Sequence, residues 1–160
     1  MNTTLNTVGA AALPITVQSA EGALIWDTKG KTYWDFYGGH AVTLIGQAHP
    51  DWINAIHRQA KSLSFFTGLA PVNIRTEASA ALCTFTGMDV AWLVNSGAEA
   101  NEAALKIARK ATGRAVMISM VNGFHGRTMG ALGVTWKYRD QHAPIHGDAR
   151  FIPFGDLDAL

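Results

Sequence analysis

The sequence predicts an α/β fold with a parallel sheet, and three observations carry that expectation. From about residue 86 onward, short apolar runs alternate with helical stretches in the order strand, loop, helix. The run Ala115–Val121 shows no alternation of polar and apolar residues, as expected of a strand buried on both faces. The run Val90–Val94 leads through a glycine-containing loop into a capped helix, and a second glycine-rich loop follows Val121.

Residues 1–20 show no periodicity and read as an arm or linker. Ala23–Asp27 and Thr32–Phe36 read as strands, and Thr28-Lys29-Gly30-Lys31 between them as a hairpin turn in which Gly30 supplies a positive φ. Gly38-Gly39 breaks regular structure. Pro50 suits a first helical turn, and Ile53, Ile56, Ala60 and Leu63 follow at helical spacing. Further helices are expected over Asn73–Phe85, Glu99–Lys110 (with a Glu102–Lys106 pair one turn apart) and Thr128–Val134. Arg150–Phe154 reads as a third strand, and Asp156 as the cap of a helix with four residues left to run. Such a helix is too short to cover a sheet, so the α/β domain reads as unfinished.

Composition narrows the function. Hydrophobic residues make up 48% of the 160-residue chain and charged ones 16%, against roughly 25% charged in an average soluble domain. So little charge points to surface that an oligomer, or further protein, covers. The net charge of +1 with scattered Lys and Arg argues against nucleic acid as a partner. Cys83, the single cysteine, excludes an internal disulfide and any cysteine-rich metal site; no metal site is expected. No apolar run approaches the ~20 residues of a membrane span, and no basic segment precedes Val8–Val17 as in a secretory signal. A cytoplasmic protein is the expectation.

Two loops carry the chemistry. In Asn95-Ser96-Gly97-Ala98-Glu99, Ser96 and Glu99 have capping-box spacing, and Gly97 permits close approach to the backbone. The N–H groups of such a first turn bind a phosphate with help from the helix dipole, although the pattern alone also fits an ordinary capped helix. In Asn122-Gly123-Phe124-His125-Gly126-Arg127-Thr128, Phe124 can lie flat on a planar ring and Arg127 can grip a carboxylate with two parallel hydrogen bonds. Taken singly, Phe124 fits a core, His125 a loop hydrogen-bonder and Arg127 a solvated charge. With parallel strands, both loops emerge at one carboxyl edge of the sheet, where open α/β folds bind ligands.

Ser96–Glu102 (Ser-Gly-Ala-Glu-Ala-Asn-Glu) and Phe124–Thr128 (Phe-His-Gly-Arg-Thr) together resemble the paired signatures of class III aminotransferases. Trp26–Lys31, Asp35–Val42 and His49-Pro50 are similar to the same family, so the resemblance covers roughly residues 20–160. It implies an incomplete fold-type-I transferase that depends on pyridoxal 5'-phosphate. Residues 1–65 would form the N-terminal arm, hairpin and helix of the small domain, and 66–160 the first part of the large α/β domain that binds the cofactor. It further implies that Gly97 and Ala98 donate backbone N–H groups to the cofactor phosphate beside Ser96, that Phe124 stacks on the pyridine ring with His125 as a neighbour, and that Arg127 binds the substrate carboxylate. Gly38-Gly39-His40 resembles the branch acting on acetylornithine or carrier-bound lysine analogues, with His40 as a substrate-side contact. Gln47 and Phe66 depart from the His and Tyr that relatives often carry.

The activity implied is transfer of an amino group from an ω-amino acid derivative to 2-oxoglutarate, in a homodimer. No catalytic residue is expected in this chain. Its six lysines, Lys29, Lys31, Lys61, Lys106, Lys110 and Lys137, all lack the context of the family's cofactor-bearing lysine, which lies downstream of Phe-His-Gly-Arg-Thr. A non-catalytic fragment or split half needing a complementary chain is the alternative. A generic nucleotide-binding domain is disfavoured, because no Gly-x-Gly-x-x-Gly or Walker motif occurs.

Overall fold

Asp27 explains why the chain forms a sheet near its start. Its carboxylate accepts hydrogen bonds from the Lys29 and Lys31 amides and from the Tyr33 hydroxyl, each at 2.9 Å, while Gly30 turns the chain at φ +76°. The computed structural model describes residues 13–145 and 149–160. They fall into two compact units, one running to Ala70 and one from Pro71.

In the first unit, β1 (Val17–Glu21), β2 (Leu24–Asp27) and β3 (Thr32–Trp34) form an antiparallel sheet in that order. The β2–β3 hairpin is the one expected. Strand β1 is a correction: all but its last residue lie in the segment read as an arm, whose first twelve residues are outside those described. Four of its five residues are exposed, so no apolar alternation marks it, and only the ladder to β2 makes it a strand. Next comes α1 (Gly38–Ala41), a single turn whose four residues all have φ between +55° and +61°. Left-handed backbone costs a residue with a Cβ roughly 1–2 kcal/mol, so Gly38 and Gly39 spare half of that cost and His40 and Ala41 bear the rest. Helix α2 (Pro50–Ser62) starts as expected, with Pro50 in its first turn and His49 Nδ1 accepting from the Asp51 amide at 3.3 Å. Its apolar stripe, including Ile53 and Ile56, is exposed.

In the second unit, α3 (Asn73–Thr86) stops at Gly87 and α4 (Gly97–Thr112) at Gly113, both glycines left-handed. β4 (Met117–Met120) and β5 (Ala149–Ile152) pair in parallel, in register from Met117↔Ala149 to Met120↔Ile152. The Val121 amide extends the ladder to the Ile152 carbonyl at 2.8 Å. Between them lies α5 (Met129–Gly133). Val90–Val94, expected as a strand, is not one: no described strand pairs with it, and an extended segment becomes a strand only through a ladder. At the end of the chain, Asp156 Oδ1 accepts from the Ala159 amide at 3.0 Å, a cap on a single turn. The most deeply buried side chains among the described residues, Ala131, Leu132 and Thr135, lie on and just after α5. The core therefore sits directly beneath the second glycine-rich loop.

Candidate active site

Ser96 opens α4 from an extended backbone (φ −151°, ψ 159°), and its Oγ accepts from the Glu99 amide at 3.2 Å. The reciprocal bond expected of a capping box is displaced by one residue. Glu99 Oε2 accepts from the Asn95 amide at 2.7 Å and from Asn95 Nδ2 at 3.1 Å, rather than from Ser96. The amides of Gly97 and Ala98, as in any first helical turn, have no intrahelical acceptor. A Cβ added at Gly97 would meet nothing within 4 Å, so the approach to these donors is open. A helix start with free amides, open access and a positive dipole end is a place where a phosphate fits.

The second loop leaves β4 through Asn122 (φ +66°), and the Gly123 amide turns back onto the Met120 carbonyl at 2.9 Å. Phe124 is 56% exposed, with the Arg127 guanidinium 5.7 Å from its ring centroid. A planar ligand thus has an exposed ring to lie on, with a cation at its margin. His125 is held from within. Its amide donates to Thr135 Oγ1 at 3.0 Å, and its Nε2 lies 3.2 Å from Ser119 Oγ. Ser119 has one hydroxyl proton and directs it to the Val134 carbonyl at 2.6 Å, so Nε2 is the donor in the histidine–serine bond.

The two loops touch. Gly126 (φ +132°) lies so close to Ala98 that an added Cβ would come within 2.7 Å of the Ala98 Cβ. One helical turn along α4, Asn101 Nδ2 donates to the His125 carbonyl at 2.6 Å. Glu102 Oε1 accepts from the Gly130 amide at 2.8 Å and the Ala131 amide at 3.2 Å. The Thr128 hydroxyl, followed by these two amides and the charge of Lys106, holds the Glu102 carboxyl below the usual glutamate range against the opposing effect of burial. The expected pairing of Glu102 with Lys106 is thus corrected: the carboxylate serves the start of α5, and Lys106 acts on it only through its field.

The structure therefore gathers Ser96, Gly97, Ala98, Phe124, His125 and Arg127 at the junction of two loops in the second unit. His40 belongs to the first unit, exposed on the left-handed turn of α1 with its ring 4.5 Å from that of Tyr37. Sequence reasoning missed Asn101, Glu102, Ser119 and Thr135. The partners of Asn101 and Glu102 lie 24 to 29 residues away, beyond any local pattern; Ser119 falls in a run expected to be buried, but nothing in the sequence indicates that its hydroxyl and that of Thr135 hold His125. No group of three or more metal-ligating side chains is assembled among the described residues, and none of their helices is long and apolar enough to cross a membrane.

Comparisons with known proteins show the family and the fold. The ornithine aminotransferase of Toxoplasma gondii superposes with a TM-score of 0.85 over 96% of this chain and 39% of that protein, at 30% identity. A second structure of that enzyme holds pyridoxal phosphate at partial occupancy in its active site. The fold is accordingly that of a fold-type-I pyridoxal-phosphate transferase, present in part. In sequence, the acetylornithine aminotransferase of Methanosarcina mazei is 41% identical over 92% of this chain and 38% of its own length. A putative [LysW]-aminoadipate semialdehyde/glutamate semialdehyde transaminase of Pyrococcus horikoshii is 40% identical over 87% of this chain and 38% of its own. The profile of aminotransferase class-III matches residues 6–159, and the chain belongs to that family. It spans about 38–39% of the length of these relatives.

Proposed function

We propose that the complete protein carrying this chain is a pyridoxal-phosphate-dependent transaminase that moves an amino group from an ω-amino acid derivative of the acetylornithine type to 2-oxoglutarate. The observation that carries the reading is the interlocked pair of loops: helix-start amides open to a phosphate meet an exposed aromatic ring with an arginine at its edge. Pyridoxal phosphate, when bound, supplies the electron sink that labilises a bond to the substrate's amino-bearing carbon. The chain's own residues bind and orient the cofactor and the substrate. Gly97 and Ala98 donate to the phosphate beside Ser96, Phe124 covers one face of the ring, and the loop core under His125 holds that ring still. Arg127 receives the substrate carboxylate in a two-pronged bond. His40 contributes on the substrate side.

The lysine that carries the cofactor is not among the six here. Lys106 and Lys110 lie on α4, Lys61 near the end of α2, Lys29 and Lys31 in the hairpin turn, and Lys137 in the loop after α5. The 160-residue chain by itself is therefore inactive in this reading. The many exposed apolar side chains of both units support a homodimer for the complete protein.

The test is a transamination assay on the complete protein with 2-oxoglutarate as acceptor and N-acetylornithine, ornithine or a simple diamine as donor. Transfer from N-acetylornithine or ornithine, together with a pyridoxal phosphate absorbance that sodium borohydride fixes to a lysine outside residues 1–160, is the expected result. Absence of cofactor binding overturns the reading.

A further inference from the structure

Arg127 is exposed, and its guanidinium lies over the Phe124 ring. The direction in which it leaves the backbone is therefore set by the chain on either side. Both flanks are tied to the same turn of α4. On the N-terminal side the His125 carbonyl is held by Asn101, and on the C-terminal side the Gly130 and Ala131 amides both donate to Glu102. The opening of that same helix is the phosphate cradle. A shift of the clamp relative to the cradle must stretch or break these bonds first.

The tie needs a carboxylate. Helix α5 has five residues and no side-chain cap of its own, so the donors at its start have no acceptor within the helix. Glu102 serves as that cap from another element and brings a negative charge to the dipole's positive end. Gly130 makes this possible, because a Cβ there would overlap the Glu102 carboxylate. A glycine inside a helix is less favourable than alanine, and the close approach of the carboxylate is what that position provides in return.

We propose that Glu102, seconded by Asn101, is a positioning residue that fixes the Arg127 clamp at a set distance and direction from the phosphate cradle, and thereby sets which length of carboxylate-bearing donor the site accepts. This rests on the transaminase reading above. The two act through backbone, not through contact with substrate. Their removal should therefore loosen recognition of the carboxylate while leaving the cradle and the ring shelf in place.

The experiment uses the complete protein and the variants Glu102→Ala, Glu102→Gln and Asn101→Ala. Three quantities are read: the Kd of pyridoxal phosphate, and kcat/KM for an ω-amino acid and for a simple amine of the same chain length. With Glu102→Ala, kcat/KM for the amino acid should fall about tenfold or more, chiefly through KM, while the amine changes by less than about 3-fold. Cofactor Kd should also stay within about 3-fold. Glu102→Gln keeps an oxygen acceptor in place and should restore most of the loss, and Asn101→Ala should show the same selective loss at smaller size. Equal losses for both donors, or none, overturn the proposal. Should Glu102→Ala fail to fold, Asn101→Ala decides on the same criterion. Failure of the transaminase reading is seen separately, in a wild-type protein that binds no cofactor or transfers no amino group before any variant is made.

Discussion

At the scale of single residues, Arg127 carries the clearest consequence of the proposed chemistry. Arg127→Lys keeps the charge and loses the planar pair of donors. A hydrogen bond to a charged group is worth about 1.5–3 kcal/mol, so kcat/KM for a carboxylate-bearing donor should fall roughly 10- to 150-fold. A simple amine of matching length, which offers the clamp no carboxylate, should be far less affected. Steady-state kinetics on both donors checks this, and parallel losses would make Arg127 a structural residue. Glu102 gives a second prediction, on pH. Its folded-state pKa lies below the ordinary glutamate value of 4.5, so the charged form is favoured by folding. Its contribution to the order of α5 is complete above 4.5 and disappears only as pH falls through its lower folded value. Hydrogen exchange at the Gly130 and Ala131 amides should therefore show stable protection down to mildly acidic pH and a loss below it. In Glu102→Gln that acid step should be missing.

At the scale of elements, the junction of α4 with the Phe124–Thr128 loop is what makes one site of two motifs. Gly126→Ala tests it. The new Cβ would lie 2.7 Å from the Ala98 Cβ and 3.0 Å from the Ala131 Cβ, at a φ of +132° that L residues rarely adopt. Overpacking of this kind typically costs about 1–3 kcal/mol, and the backbone strain adds to it. The loop should move off the helix start, with a lower Tm and weaker binding of pyridoxal phosphate, both measurable on the complete protein. An unchanged cofactor Kd would mean that the contact between the loops does not matter to the cradle. The same elements show what a sequence reveals. Ser96 and Pro50 mark helix starts through local chemistry, and the apolar run before Asn122 marks β4, so both loops could be placed on their elements from sequence. β1 could not, because its residues are exposed and its identity lies in its pairing with β2. Val90–Val94 failed in the opposite sense: its residues suit a strand, but strandhood is a property of a pair. Asn101 and Glu102 stand in the sequence as positions of a helix and of the Ser96–Glu102 signature, and nothing within four residues of either indicates a partner more than twenty residues away.

At the scale of the whole molecule, the question is what the apolar composition is for. Among the described residues, side chains that ordinarily form cores stand in solvent: Phe36 is 97% exposed, Leu69 93%, Phe85 89% and Phe154 88%. At about 25 cal/mol per Å², leaving such residues in water forgoes some 2 kcal/mol each, so a handful of them equals the net stability of a typical domain. Expressed as 160 residues, the chain is therefore expected to bind a hydrophobic dye and to self-associate, whereas the complete protein should do neither beyond its native oligomer. Dye fluorescence and sedimentation velocity on the two proteins distinguish the cases. A dye-silent, monodisperse 160-residue monomer with a sharp cooperative melt would show that these side chains find cover within the chain itself. The low charge content would then need an explanation other than missing cover. Dye binding and self-association would instead support the proposed function, in which the apolar surface open on both units is what further protein covers.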